Sequence, residues 1–129
     1  MRATEEITFT QLIQPIAMSP NFIHAGIDTV VSGWGPKYPD TEVDSQFLQF
    51  AAVRTVECPD QFPFSLQYIC AGTADPLSEV LPTRPGICKT DIGGPVVLRN
   101  QLIGIAAYHD PLQCGSAAIP VSFIDFFLV

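Results

Sequence analysis

Apolar positions along this chain fall in short runs of β-forming residues, not at the three-to-four spacing of a helix. Thr29-Val30-Val31-Ser32 is rich in β-branched side chains and runs into Gly33-Trp34-Gly35-Pro36, which predicts a strand closed by a turn. Phe47 to Val56 alternates imperfectly and predicts a second strand, with Leu48, Phe50 and Ala52 on its apolar face. Gly94 to Leu98 and Leu102 to Ala107 flank Arg99-Asn100-Gln101, the pattern of a β-hairpin. Ile7 to Ile16 mixes β-formers with polar residues up to Pro15 and reads as a connecting strand or extended loop. Asp60 to Leu66 suits a short helical turn, and Ala74 to Gly86, with Pro76, Pro82 and Pro85, suits a loop. At the end, Phe123, Ile124, Phe126, Phe127 and Leu128 predict a short buried helix over 122–129, capped by Ser122.

Composition narrows this picture. Twelve Pro and nine Gly are scattered through 129 residues and leave little room for long helices, so the fold class is all-β. That length holds one domain or part of one, and 47% apolar against 15% charged residues is enough to build a core. Six Lys and Arg against thirteen Asp and Glu give a net charge of −7, which repels phosphate backbones and anionic lipid heads. Nucleic acid and membrane are therefore not expected partners, and no run approaches the roughly 18 apolar residues of a membrane span.

The four cysteines, at 58, 70, 88 and 114, include no C-x-x-C pair, and only His24 and His109 could supplement them as metal ligands. Disulfides are the better reading, with no metal and no cofactor, and they imply an oxidising, secretory compartment. The first residues, Met1-Arg2-Ala3-Thr4-Glu5-Glu6, have neither the apolar core nor the cleavage site of a signal peptide, so upstream sequence is expected to be missing.

Val31-Ser32-Gly33-Trp34-Gly35, Ile69-Cys70-Ala71-Gly72, Cys88-Lys89-Thr90-Asp91-Ile92-Gly93-Gly94-Pro95 and Gly104-Ile105-Ala106-Ala107-Tyr108 occur in this order, with Gln14-Pro15-Ile16 ahead of them. Together they resemble the second β-barrel of chymotrypsin-like and trypsin-like serine peptidases over nearly the whole chain. The resemblance implies a six-stranded antiparallel Greek-key β-barrel with a short C-terminal helix. It makes residues 1–129 a partial peptidase domain without the first barrel. It also implies disulfides Cys58–Cys70 and Cys88–Cys114, and it places Thr29 and Leu98 where the family has a third.

The family's chemistry needs a Ser nucleophile, a His base, an Asp that orients the base, and backbone amides that stabilise the oxyanion. By the resemblance, the nucleophile position between Asp91 and Gly93 is occupied by Ile92, which cannot attack a carbonyl. The oxyanion position two residues earlier is Thr90 where the family has Gly, and a β-branched residue resists positive φ. The base and orienting Asp belong to the first barrel, and neither His24 nor His109 matches the base position. Asp91 keeps the family's Asp, whose usual partner is an α-amino group from the first barrel, so it is expected to be exposed, neutral or re-paired. Gly86 resembles the base of the substrate pocket and would not select Lys or Arg there. Ala107-Tyr108-His109 would be the strand that holds the substrate backbone. The run from Cys114 to Phe123 is too short for the family's final strand, which would leave the pocket wall incomplete.

The resulting expectation is a non-catalytic serine-peptidase homologue, not an enzyme, with no catalytic residues of its own. Any role would come through a protein or peptide partner at the former substrate face or the first-barrel face. The alternative is a fragment of a secreted serine-type endopeptidase that serves proteolysis.

Overall fold

The computed structural model describes residues 3–36, 43–58, 68–73, 87–108 and 121–125. Among the described residues, seven strands follow the chain: β1 (Ala17–Met18), β2 (Asp28–Gly33), β3 (Gln49–Val56), β4 (Tyr68–Thr73), β5 (Pro95–Leu98), β6 (Gln101–Tyr108) and β7 (Val121–Asp125). A 3₁₀ turn, Lys89–Asp91, precedes β5. The sheet runs β1-β6-β5-β2-β3-β4-β7, and a further pairing of β7 with β6 closes six of the strands into an antiparallel ring. This is the Greek-key barrel expected from the sequence. The short β1 lies parallel to β6 outside the ring, while 3–16 carries no strand, so the extended-loop reading of Ile7 to Ile16 holds.

Period-two alternation explains the core. In β2, Thr29 and Val31 point inward, at 2% and 3% exposure, while Asp28 and Val30 point out. Their direct partners across β3 are Val53 and Ala51, so that strand must also bury its odd positions. Leu48, Phe50 and Ala52, expected on the apolar face, are therefore exposed, Phe50 at 81%. Alternation puts Leu48, Phe50 and Ala52 on one face, but register with β2 decides its direction, because a one-residue slip would turn every side chain over. Val96, Ile103, Ala106, Ile69 and Ile87 complete the core with Val31 and Val53. The two buried hydroxyls between strands are satisfied: Thr29 Oγ1 donates to the Val53 carbonyl at 3.2 Å, and Thr55 Oγ1 to the His24 carbonyl at 2.7 Å. One step beyond the Val30–Val97 pair, Thr29 comes opposite Leu98, where the resemblance placed the missing disulfide.

The expected C-terminal helix is corrected to a strand. Val121–Asp125 pairs with β4 through Ile69–Phe123 and Tyr68–Ile124, and with β6 through Ile105–Ile124 and Ala106–Phe123. An isolated helical turn of this length is marginal in water, whereas β4 and β6 each present an open edge of unpaired amides and carbonyls. Val121, Phe123 and Ile124 are β-formers, and the strand they make fills the gap between those edges. The run after Cys114 is thus long enough for a closing strand, contrary to expectation. Residues 126–129, the expected helical turn at 60–66 and the expected loop at 74–86 lie outside the described residues.

The hairpin turn is tighter than expected. Gln101 pairs with Leu98, leaving Arg99 and Asn100 alone at the turn with φ of 48° and 62°. Two positive φ values in a two-residue loop form the turn that matches strand twist, and an Asn-Gly pair suits it best. The double substitution Arg99→Asn with Asn100→Gly is expected to raise unfolding stability by about 1 kcal/mol, read from the urea midpoint at unchanged slope. On the outer face, Arg54 grips Asp28 with two hydrogen bonds at 2.6 and 2.9 Å, which hold the Asp28 carboxyl below its usual range.

Candidate functional site

The residues with site character gather where β2 ends and β5 begins. Cys88 leads into the 3₁₀ turn, closed by the Asp91 amide donating to the Cys88 carbonyl at 3.1 Å. Gly94 N then donates to Asp91 O at 2.9 Å, bending the chain back toward β5. Gly93 supplies the positive φ, 90°, that this reversal requires. Beside it, Gly93 N donates to Ala106 O at 2.8 Å and Ala106 N to Gly94 O at 2.9 Å, which fastens the turn to β6. The turn is thereby held on the strand expected to carry substrate backbone.

Asp91 ties the turn to the other side. Its Oδ1 accepts the Gly35 amide at 2.6 Å and its Oδ2 accepts the Cys88 amide at 3.0 Å. The carboxylate sits so close to the Gly33-Trp34-Gly35 segment that a Cβ on Gly33 would fall 2.0 Å from Oδ1, and one on Gly35 2.3 Å from Oδ2. Both glycines are there because the carboxylate fills the space a side chain would take. Asp91 is half-buried, and its carboxylate is paired with the Gly35 and Cys88 backbone amides.

Ile92 and Thr90 lie at the surface of this turn. Ile92 is 45% exposed, with φ −59° and ψ 131°. Thr90 sits inside the 3₁₀ turn and outside the positive-φ region, which removes the conflict expected for a β-branched residue. Its hydroxyl donates to Asp44 Oδ1 at 2.6 Å. Asp44 stands in a polar run with no motif around it, so nothing in the sequence pointed to it. The segment that carries Asp44 is held to the site by Ser45 N donating to the Trp34 carbonyl at 2.8 Å.

Of the expected pocket residues, Ala107 and Tyr108 lie at the end of β6, next to the Ala106 that holds the turn. Gly86 and His109 lie outside the described residues. His24 is at the opposite end of the β2–β3 pair, where its carbonyl meets Thr55, so the length of β2 alone places it roughly 17 Å from the turn. There it lines an open cleft of about 320 Å³ with Glu57, Tyr68 and the Cys58–Cys70 disulfide. Among the described residues, no serine or threonine hydroxyl is hydrogen-bonded to an imidazole, and no group of His, Cys, Asp and Glu is placed to hold a metal ion. The Cys58–Cys70 disulfide forms as the resemblance implied. Cys88 is disulfide-bonded too; its expected partner, Cys114, lies outside the described residues.

Comparison with known proteins places this geometry. The sequence matches the Trypsin family over residues 1–128. It is 32% identical over 108 residues to the serine protease SP24D of Anopheles gambiae, covering 82% of this chain and 36% of that protein. It is 31% identical over 133 residues to chymotrypsin-2 of Vespa crabro, covering 98% of this chain and 57% of that one. Among solved structures, mouse neuropsin superposes with a TM-score of 0.80 at 22% identity, over 96% of this chain and 54% of neuropsin. The chain thus spans about half the length of the proteins it matches. The expectation, drawn from Ile92, that the chain is not an enzyme is corrected by these matches. The relatives are serine proteases and chymotrypsins by name, and the family points toward peptidase activity.

Proposed function

Because the chain belongs to the trypsin family of serine proteases, we propose that it serves proteolysis, as the second-barrel part of a secreted serine-type endopeptidase. The observation that carries this reading is the Asp91–Gly94 turn. Its amides and carbonyls are fixed on one side by the Asp91 carboxylate against Gly35 and on the other by Ala106 of β6. A loop pinned at both ends presents its backbone in one geometry, which is what stabilising the charge that develops during peptide-bond cleavage requires. The peptide substrate is the partner proposed for this face, lying along Ala107-Tyr108 at the end of β6. The disulfides support a secretory location.

Ile92 brings no hydroxyl to the turn, so the reading is tested by asking which hydroxyl acts. The whole protein that carries this chain, purified from its source, is incubated with a fluorogenic peptide amide and with a fluorophosphonate, which labels activated serine or threonine hydroxyls. The expected result is turnover that the fluorophosphonate abolishes, with the label mapped by mass spectrometry. Absence of both turnover and labelling overturns the reading.

A further inference from the structure

The open cleft at the far end of the β2–β3 pair has no part in the peptidase reading. At about 320 Å³ it has room for one small molecule. Ile23, Thr55 and Ile69 line it and are buried, whereas Phe22, His24 and Glu57 line it and are exposed, and Tyr68 is half-buried. The buried hydroxyl is already engaged: Thr55 Oγ1 donates to the His24 carbonyl at 2.7 Å and accepts the Ile27 amide at 2.8 Å. Its buried neighbours, Ile23 and Ile69, bring only aliphatic side chains. On the exposed side the Phe22 and His24 rings meet edge to face, with centroids 5.0 Å apart and planes at 73°, and make a corner, not a stack. Glu57 brings a carboxylate to the same cleft. It forms no ion pair among the described residues, because Arg54, the cation nearest to it in sequence, is committed to Asp28 through bonds of 2.6 and 2.9 Å.

An aliphatic depth, an aromatic corner and one carboxylate without a counter-charge suit an organic cation. A primary ammonium is strongly hydrated and carries three N–H donors, so it would give up water here without finding a free hydroxyl in the depth of the cleft. A quaternary ammonium has no N–H to satisfy. Its methyl groups can pack on Ile23 and Ile69 while its spread charge lies against an aromatic face and near Glu57. A phosphorylated or lipid-borne form would bring a phosphate that Glu57 and the net charge of −7 repel.

We propose that this cleft binds a free quaternary ammonium compound of the choline type, held by the Glu57 carboxylate and the Phe22 ring. The site lies apart from the 91–94 turn and does not depend on the endopeptidase reading.

The test is saturation-transfer NMR of the whole protein that carries this chain, titrated in turn with choline, its uncharged isostere dimethylbutanol, ethanolamine and phosphocholine. Choline is expected to bind about tenfold more tightly than dimethylbutanol, the combined scale of one exposed ion pair and one cation–π contact. Ethanolamine and phosphocholine should each bind more weakly than choline. Glu57→Gln and Phe22→Leu should each reduce the preference to about threefold and together should remove it. Both positions are exposed, so the urea midpoints of these variants should stay close to that of the parent. No binding of choline, equal binding of choline and dimethylbutanol, an affinity for ethanolamine or phosphocholine as high as that for choline, or a preference that survives both substitutions overturns the proposal.

Discussion

Gly94→Ala is expected to lower unfolding stability by about 3 kcal/mol and to abolish peptide binding at the turn. An added Cβ would lie 2.8 Å from the Asp91 carbonyl oxygen and 2.9 Å from that of Ser32. Both obstacles are backbone, so neither can rotate away as the tip of a side chain would. Making room means moving the turn off β2, which breaks the Gly94–Asp91 bond and strains the Ala106–Gly94 bond beside it. Each lost bond is worth about 1 kcal/mol, and the overpacking adds a similar amount. A urea midpoint within error of the parent, with peptide binding retained, would show that the turn is not wedged between Asp91 and Ser32.

Gly35→Ala offers an instructive contrast. The three atoms nearest its Cβ would all belong to the Asp91 carboxylate, which can swing away at the expense of its bonds to Gly35 and Cys88. The double variant with Asp91→Ala should accordingly be no less stable than Asp91→Ala alone, because the clash and the bonds vanish together. Such non-additivity marks two residues that share one interaction.

Ile103→Ala carries the second large effect. Ile103 is 2% exposed, on β6 in the core with Val31, Val53 and Val96. Truncation there is expected to cost about 3 kcal/mol, from lost transfer energy plus the cavity that a closed ring of strands cannot collapse to fill. Phe50→Ser is the matched control. Phe50 is larger than Ile103 but stands 81% exposed, so its replacement should shift stability by no more than about 0.5 kcal/mol. Thermal or urea unfolding of the two variants checks both expectations. A larger loss from Phe50→Ser than from Ile103→Ala would mean that β3 packs with its even positions inward.

Much of the fold was legible because it is local. β2 announced itself by β-branched residues ahead of Gly33-Trp34-Gly35, and β5 and β6 by two apolar runs around Arg99-Asn100. The Asp91–Gly94 turn was legible as well, because a positive φ at Gly93 and tight reversals restrict which residues are allowed at each step. The orientation of β3 was not, since alternation along one strand gives two faces and the bulkier one, with Leu48 and Phe50, was outward. β7 was missed for a related reason: a short apolar run such as Val121–Asp125 suits helix or strand equally, and only the open edges of β4 and β6 choose between them.

The candidate site divides along the same line. Its turn residues, Cys88 to Pro95, could be read from the chain, because they are consecutive. Asp91's grip on Gly35 spans 56 residues, and Thr90's bond to Asp44 spans 46. Hydrogen bonds across such separations depend on how distant segments are brought together, and no local pattern encodes them. The sequence by itself determined that this is an all-β chain of the trypsin family with a conformationally constrained turn. Only the tertiary structure decided which face of each strand is buried, how the ring closes and what the Asp91 carboxylate holds. Those choices rest on contacts between segments far apart in sequence, made definite when the core packs.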